Sequence, residues 1–272
     1  MRDLRYKLIV ADLDGTLLNS KVELSARTLD AVRRYHEAGG LVTYATGRSG
    51  ESARRFAEQA GIKIPGIAFN GGIVVSHIDD SVIYETFLDA EAAKKAYTAI
   101  RAYKKDVVVY LETSRHVAEF TDVINKYLER IRQGVYIIRD IEQVIGDGKT
   151  LKKLLVIDPK QEEDLINETI RPFFGDTYNC VKSDPIFFEI LPPGTSKGQA
   201  LVALAGHLGI GIDGTIAIGD HLNDISMIET AGLGVAVANA EQEALDAAGY
   251  VTASNDEDGV ALLIEKLLSG EL

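Results

Sequence analysis

At 272 residues the chain is long enough for two domains, or for one large core carrying an insertion, and its composition, 46% hydrophobic and 26% charged, is that of a globular protein. A net charge of −12 argues against non-specific binding to nucleic acid or to anionic membranes, both of which call for a basic face. Cys180 is the only cysteine, so no internal disulfide can form and a reducing compartment is expected.

The chain starts MRDLRYKLIVADLD, and its first apolar run ends after about five residues, too short for the hydrophobic region of a signal peptide. No later segment approaches the length of a membrane span. A cytoplasmic protein is the simplest expectation.

KLIVAD reads as a buried strand. Ser25 to Ala38 reads as a helix with Ser25 as N-cap and Gly39-Gly40 as its stop. LVTYAT (41–46) is the next strand, Glu51 to Ala60 the next helix, and GIAFNGG (66–72) a third strand running into a turn. Strand and helix alternating over short connections predict right-handed crossovers and a parallel sheet.

After about Val82 the texture changes. VIYETF and DVVVYLET read as alternating, half-exposed strands, and helical patterns follow at Ala90–Lys104 and Thr121–Gln133. LKKLLVID (151–158) and PIFFEILP (185–192) are further strands, with a helix at Glu162–Phe174 between them. Such elements predict an α+β unit with an antiparallel sheet.

From Ser196 the first texture returns: SKGQALVALAGHLGI helix, TIAIGD (215–220) strand, NDISMIETA helix, GVAVANA (234–240) strand, EQEALDAAG helix, YVTAS strand, and DGVALLIEKLL to close. The expected fold is an α/β, Rossmann-like parallel-sheet core, residues 1–82 and 195–272, with an inserted α+β domain at 83–194. Gly and Pro cluster at the second boundary, in LPPGTSKG (191–198).

Three pattern matches fail on context. GIGIDG (209–214) has the glycine spacing of a dinucleotide fingerprint, but it follows a helix and precedes a strand, the reverse of what phosphate binding at a helix N-terminus requires. GDGKT (146–150) resembles the end of a P-loop, yet the first required glycine falls at Gln143. The five histidines show no metal-ligand spacing.

What survives is a set of polar residues at strand ends or helix starts of the α/β half. Asp12 and Asp14 follow the first strand, Thr46-Gly47-Arg48 the second, and Asp220, Asn223 and Asp224 lie in GDHLND after TIAIG. Lys197 opens the helix that restarts this half. Each has an ordinary alternative: an Asx-type turn, a turn threonine, a solvated lysine, an N-cap with solvated acids. In a parallel sheet, however, all carboxyl ends share one edge, where open α/β sheets bind ligands. Together the residues point to a site handling a cation and a phosphate.

DLDGTL, ATGR, the SKG lysine and GDHLND, in that order, resemble the haloacid dehalogenase-like hydrolases. FNGG, EILPPGTSKG, VAVANA and SNDEDGVA are similar to the Cof-type sugar-phosphatase branch, which carries a large cap between its second and third motifs. The resemblance spans the core; the insertion matches only in placement, size and element types.

The resemblance implies a Mg2+-dependent phosphatase acting on small phosphate monoesters, with sugar phosphates the expected class. It implies Asp12 as nucleophile, forming an aspartyl-phosphate, and Asp14 as the acid and base that protonates the leaving oxygen and then activates water. Mg2+ is expected on Asp12, the Asp14 carbonyl, Asp220 and Asp224, the last directly or through water. The phosphoryl oxygens would be bound by Thr46, by the N–H groups of Leu13 and Gly47, by Asn223 and by Lys197. Arg48 either reaches the phosphate or pairs with a nearby acid. A cap is expected to close over the core and contact the leaving group. Arg115 and His116, in ETSRHV, are candidate contacts there, and His221 is a candidate facing the cap.

The expected partner is a small phosphorylated metabolite, with no nucleic acid and no membrane, for a monomer or small homo-oligomer. A phosphotransferase or mutase using the same intermediate is the nearest alternative. An aspartyl-phosphate switch without turnover is the alternative outside enzymes, disfavoured by the intact Asp14.

Overall fold

Residues 4–111, 114–131, 136–146, 151–159, 178–184 and 186–272 are described in the computed structural model. β1 (Leu8–Ala11) is buried along its length. Successive side chains of a strand point to opposite faces, and here both faces are covered. Leu8 and Val10 pack with Ala200, Leu201, Leu204 and Met227, whereas Ile9 and Ala11 pack with Val32, Tyr35, Phe56 and Leu263. That double cover is why the sequence reads as a continuous apolar run rather than an alternating one.

The chain divides into two units, Met1–Glu85 with Ser196–Leu272, and Thr86–Thr195. In the first unit, β2 (Leu41–Tyr44) lies on one side of β1, and β12 (Thr215–Gly219), β13 (Leu233–Val237) and β14 (Tyr250–Thr252) on the other. All neighbours in this sheet are parallel. The chain leaves β1 towards one edge and leaves β12 towards the other, which makes the gap between their carboxyl ends the topological switch point.

Helices α1 (Ala26–Glu37) and α2 (Gly50–Gln59) cover one face with α9 (Gly259–Ser269). α6 (Lys197–His207) and α7 (Ile225–Thr230) cover the other, and α8 (Gln242–Ala247) follows β13. Ser25 caps α1 by accepting from the Thr28 N–H at 3.0 Å, as its sequence position predicts, and Ser196 caps α6 through the Gln199 N–H at 3.1 Å.

Two segments refine the sequence reading. GIAFNGG is strand only over β3 (Gly66–Ala68), which meets the main sheet through a parallel bridge between Ala45 and Ile67. Phe69, Asn70 and Gly71 then turn through φ values of 52, 54 and 96°. This left-handed turn sends the chain back as β4 (Ile73–Val75), antiparallel to β3. β5 (Val82–Glu85), read as the start of the changed texture, pairs with β4 in this first unit, its Ile83 and Tyr84 packing on the cluster that includes Leu201 and Leu204.

In the second unit the described residues form six strands of one sheet. They are β6 (Asp106–Leu111), β7 (Arg115–Val117), β8 (Tyr136–Ile138), β9 (Leu151–Ile157), β10 (Asn179–Asp184) and β11 (Phe187–Leu191). Their order is β10-β11-β9-β6-β7-β8, and the pairs are antiparallel apart from β7 with β8. Helices α3 (Ala90–Ala102) and α5 (Ile141–Gly146) bury Val107, Val109 and Leu111 of β6.

β6 was expected to be half-exposed, yet it is buried from Val107 to Leu111. Its opposite face is covered as well: Tyr110 is hydrogen-bonded to Tyr127 of α4 (Asp122–Ile131), whose ring stands edge-on to Phe187 at 5.5 Å. The helix read at Glu162–Phe174 lies outside the described residues, as do residues 147–150 of GDGKT. No described helix is long and apolar enough to cross a membrane.

Candidate active site

The carboxyl ends of β1 and β12 meet at the switch point because the two strands are in register, Ala11 beside Ile218. The next residue after β1 is Asp12, held by its N–H to the Ile218 carbonyl at 2.8 Å. The chain must then turn sharply, and Gly15 supplies a φ of 82°. A Cβ at Gly15 would collide with the Asp220 carboxylate, so only glycine lets this loop approach so closely. Thr16 completes the join by donating its hydroxyl to Asp220 Oδ1 at 2.6 Å, and Asn239 donates to the Gly15 carbonyl at 2.8 Å.

Lys197 sits at the first turn of α6 with its side chain fully buried. Its ammonium donates to Asp12 Oδ1 at 2.6 Å and to Asp224 Oδ1 at 2.5 Å. The other oxygen of Asp224 accepts the backbone N–H groups of Asp220 and His221, at 3.0 and 3.1 Å. A buried lysine is tolerable only when paired; the two carboxylates hold its pKa above the ordinary value although burial alone would lower it.

The acids outnumber their cation. Asp12, Asp220 and Asp224 present oxygens that all lie within 4.8 Å of one another. Burial, with the neighbouring carboxylates adding to it and Lys197 opposing it, pushes Asp12 well above the usual carboxylate range. Burial and Asp224 push Asp220 up to about 7. A cluster of hard oxygens with unmet negative charge is the donor set a divalent cation such as Mg2+ favours, so these residues fit the metal that the sequence reading expects.

Asp14 has a different environment. Its side chain is half exposed and is gripped by Arg48, which donates from Nε at 2.7 Å and from Nη2 at 2.5 Å. The guanidinium also lies 5.2 Å from the centre of the Phe56 ring. Of the two roles open to Arg48, pairing with an acid is the one seen.

Thr46 is buried just beyond β2, its hydroxyl accepting the Arg48 N–H at 3.2 Å and its carbonyl accepting the Asn70 N–H at 2.9 Å. Asn223 donates its side-chain amide to Asn70 Oδ1 at 2.9 Å. Gly47 lies beside the Asn70 side chain, where an added Cβ would come within 3.1 Å of Asn70 Oδ1. Leu13 is fully buried between the two acids.

Asp12, Lys197, Asp220 and Asp224 are therefore in direct contact or within a few ångströms, and Thr46 and Asn223 are tied together through Asn70, with Gly47 close beside it. His221 faces Glu241 at 3.0 Å. Arg115 and His116 belong to the second unit, where the Arg115 guanidinium lies 5.2 Å from the Tyr110 ring centre and His116 Nε2 is 2.9 Å from Ser114 Oγ. Sequence reasoning gave no role to Thr16, Asn70 or Asn239. The available signal was positional: Thr16 stands inside DLDGTL, and Asn70 precedes two glycines where a left-handed turn is plausible chemistry.

Residues 9–264 match the family model of haloacid dehalogenase-like hydrolases. The 5-amino-6-(5-phospho-D-ribitylamino)uracil phosphatase YwtE of Bacillus subtilis is 33% identical over 292 aligned positions, which cover 97% of this chain and 99% of that protein. Phosphatase YwpJ of the same organism is 31% identical, covering 96% of this chain and 100% of that one. A haloacid dehalogenase-like hydrolase from Bacteroides thetaiotaomicron, solved by crystallography, superposes with a TM-score of 0.85 at 30% identity, covering 96% of this chain and 99% of that chain.

Proposed function

We propose, since the chain belongs to the haloacid dehalogenase-like hydrolases, in their Cof-type branch, and is a phosphatase, that it hydrolyses small phosphate monoesters through a phosphoryl group carried on Asp12. The observation that carries this reading is the unequal treatment of two acids from one motif. Asp12 is buried against Lys197, whereas Asp14 is half exposed and paired to Arg48. Lys197 beside Asp12 offers the positive charge that an attacking carboxylate and a transferring phosphoryl group need, and Asp14, outside the Asp12–Asp220–Asp224 cluster, is left for proton transfer.

In the first step Asp12 Oδ attacks phosphorus while the ester oxygen departs with a proton from Asp14. In the second, water attacks the phosphoryl-Asp12 as Asp14 takes its proton, and inorganic phosphate leaves. Lys197, Thr46, Asn223 and the N–H groups of Leu13 and Gly47 bind the phosphoryl oxygens; preorganised donors of this kind contribute about 3–4 kcal/mol each. Asp12, Asp220 and Asp224, with the Asp14 carbonyl, would hold Mg2+, which supplies charge neutralisation between carboxylate and phosphate.

Sugar or polyol phosphates are the proposed substrates. YwtE, by its name, acts on a phosphorylated ribityl compound, and this supports a polyol phosphate for its relative here. The second unit, Thr86–Thr195, stands in the sequence where a cap would, and is the proposed source of selectivity. A cytoplasmic setting is part of the same proposal, resting on the single Cys180. The test is phosphate release from p-nitrophenyl phosphate and from a panel of sugar and polyol phosphates, with Mg2+ and with chelator. No release from any of them by Mg2+-loaded protein would overturn the reading; transfer to an added polyol in preference to water would turn it into a phosphotransferase.

Two further outcomes are expected. Asp12 and Asp220 have folded pKa values above their unfolded ones. Between the two values the folded chain binds more protons than the unfolded chain, so their contribution to stability falls as pH rises, through about 7 for Asp220. In chelator the melting midpoint should therefore fall from pH 5 to pH 8. Mg2+ should raise it more at pH 8 than at pH 5, because protons compete for the same oxygens. Equal Mg2+ shifts at both pH values would contradict the assignment of these acids as ligands.

Arg48→Ala should release the Asp14 carboxylate at small cost to the fold, about 0–1 kcal/mol for a partly exposed pair. Turnover should fall roughly tenfold through loss of positioning. Arg48→Lys should recover little, since lysine cannot make the two-pronged contact.

A further inference from the structure

The turn Phe69-Asn70-Gly71 has no role in the mechanism above, yet it is the most strained stretch near the site. Phe69 and Asn70 hold φ values of 52 and 54°. For a bulky residue such as Phe this is an unfavourable conformation, and it persists only where the surroundings impose it. Three site elements surround the turn. The Phe69 N–H donates to the Arg48 carbonyl at 2.9 Å and the Asn70 N–H to the Thr46 carbonyl at 2.9 Å. Gly71, at φ 96°, is pressed against the Ser196 carbonyl and the Lys197 N–H, so closely that a Cβ would collide with that backbone. The third element is reached by a side chain: Asn70, only 2% exposed, accepts from Asn223 Nδ2 at 2.9 Å.

We infer that Asn70 is a positioning residue for phosphoryl binding, whose side-chain carbonyl fixes the orientation of the Asn223 amide. The proposal rests on the reading of Asn223 as a ligand of the phosphoryl oxygens. The chemistry is that of a primary amide, which has two donor hydrogens on one side and an acceptor oxygen on the other. Only the NH2 side can face Asn70 Oδ1. One Nδ2 hydrogen is used by Asn70, and the second remains for an anion. Without Asn70 the amide is free to flip, and its carbonyl oxygen would then be turned towards phosphoryl oxygens and repel them. Among the described residues the buried Asn223 Oδ1 has no hydrogen-bond partner, so none of them opposes a flip on that side. The strained turn is what carries Asn70 to Asn223 from a loop already tied to Thr46 and to the start of α6.

Asn70→Gly tests this, because glycine keeps the left-handed backbone and deletes only the side chain. The affinity for inorganic phosphate is measured by calorimetry with Mg2+ present, in four proteins: wild type, Asn70→Gly, Asn223→Ala and the double variant. The Asn223 side-chain amide signals are followed in parallel by 15N NMR. Asn70→Gly should weaken phosphate binding by about tenfold, yet change it less than twofold when Asn223 is already Ala, and it should move the Asn223 amide protons towards free-amide shifts and faster exchange.

Equal weakening in both backgrounds, or unmoved Asn223 signals, would overturn the inference even if activity fell. No change in phosphate affinity would overturn it as well. If Asn223→Ala itself leaves phosphate affinity unchanged, the ligand role of Asn223 fails and the inference falls with it. Wild type that binds phosphate but hydrolyses no ester would count against the proposed function alone, leaving the Asn70 comparison intact.

Discussion

Asp12→Asn is expected to abolish phosphate release, lowering kcat by roughly 10^4 to 10^6-fold, the range seen when a catalytic nucleophile is removed. The amide nitrogen is not a nucleophile, and among the described residues no other carboxylate is free to take its place. Asp220 is engaged by Thr16, and Asp224 by Lys197 and two backbone N–H groups. The loss should be chemical rather than structural. An asparagine still offers an oxygen to Lys197, and it removes one of three acids crowded within 4.8 Å. In chelator at pH 8 the variant should therefore melt at or above the wild-type midpoint.

A companion variant separates the two steps. Asp14→Asn, given an aryl phosphate whose leaving group needs no proton, should accumulate a covalent phosphoenzyme, visible as one added phosphoryl group in the intact mass. Asp12→Asn should show no such increment. Continued turnover by Asp12→Asn would remove this aspartate from the mechanism.

Lys197→Met should damage both activity and fold. The ammonium is buried, with Asp12 at 2.6 Å and Asp224 at 2.5 Å, and methionine keeps most of the stem while deleting the charge. Removing one partner of a buried ion pair leaves the other uncompensated, typically at about 3–5 kcal/mol. For a chain of this size that corresponds to a lowering of the melting midpoint by roughly 10 °C. The deficit should be largest in chelator at high pH, where the acids are ionised, and should shrink with Mg2+ or at pH 5. Turnover should fall on the order of 10^2 to 10^3-fold with Mg2+ present. An unchanged midpoint in chelator would show that the lysine does not compensate the acid cluster.

The elements of the first unit were legible because they obey local rules. KLIVAD, LVTYA and TIAIG are apolar runs that a doubly covered parallel sheet requires, and Ser25 and Ser196 precede helices whose first N–H groups need an acceptor. β6 was misread as half-exposed because a strand's second face is buried by what packs on it, here Tyr127 of α4, and that is not encoded in the strand itself. The turn after β3 is legible from the glycines of FNGG, but its left-handed hand at Phe69 is not. Its left-handed residues include a phenylalanine, a choice that local propensity opposes and that its hydrogen bonds to Arg48 and Thr46 impose.

The ingredients and their order are readable along the chain: two acids after one strand, Thr46 after another, a lysine at a helix start, and GDHLND after a third strand. Strand ends in a parallel sheet share an edge, so convergence followed from the pattern alone. Tertiary structure decided the partners. Arg48 could equally have pointed at a phosphate, and only the approach of α2 and the Asp14 loop pairs it with Asp14. The charge state of the acids was equally invisible, because a pKa depends on burial and on neighbours distant in sequence, as for Asp220 beside Asp224 and Thr16. Asn70 and Asn223 are 153 positions apart. A hydrogen bond reaches about 3 Å, so whether two such side chains meet is a property of the folded chain, not of either segment.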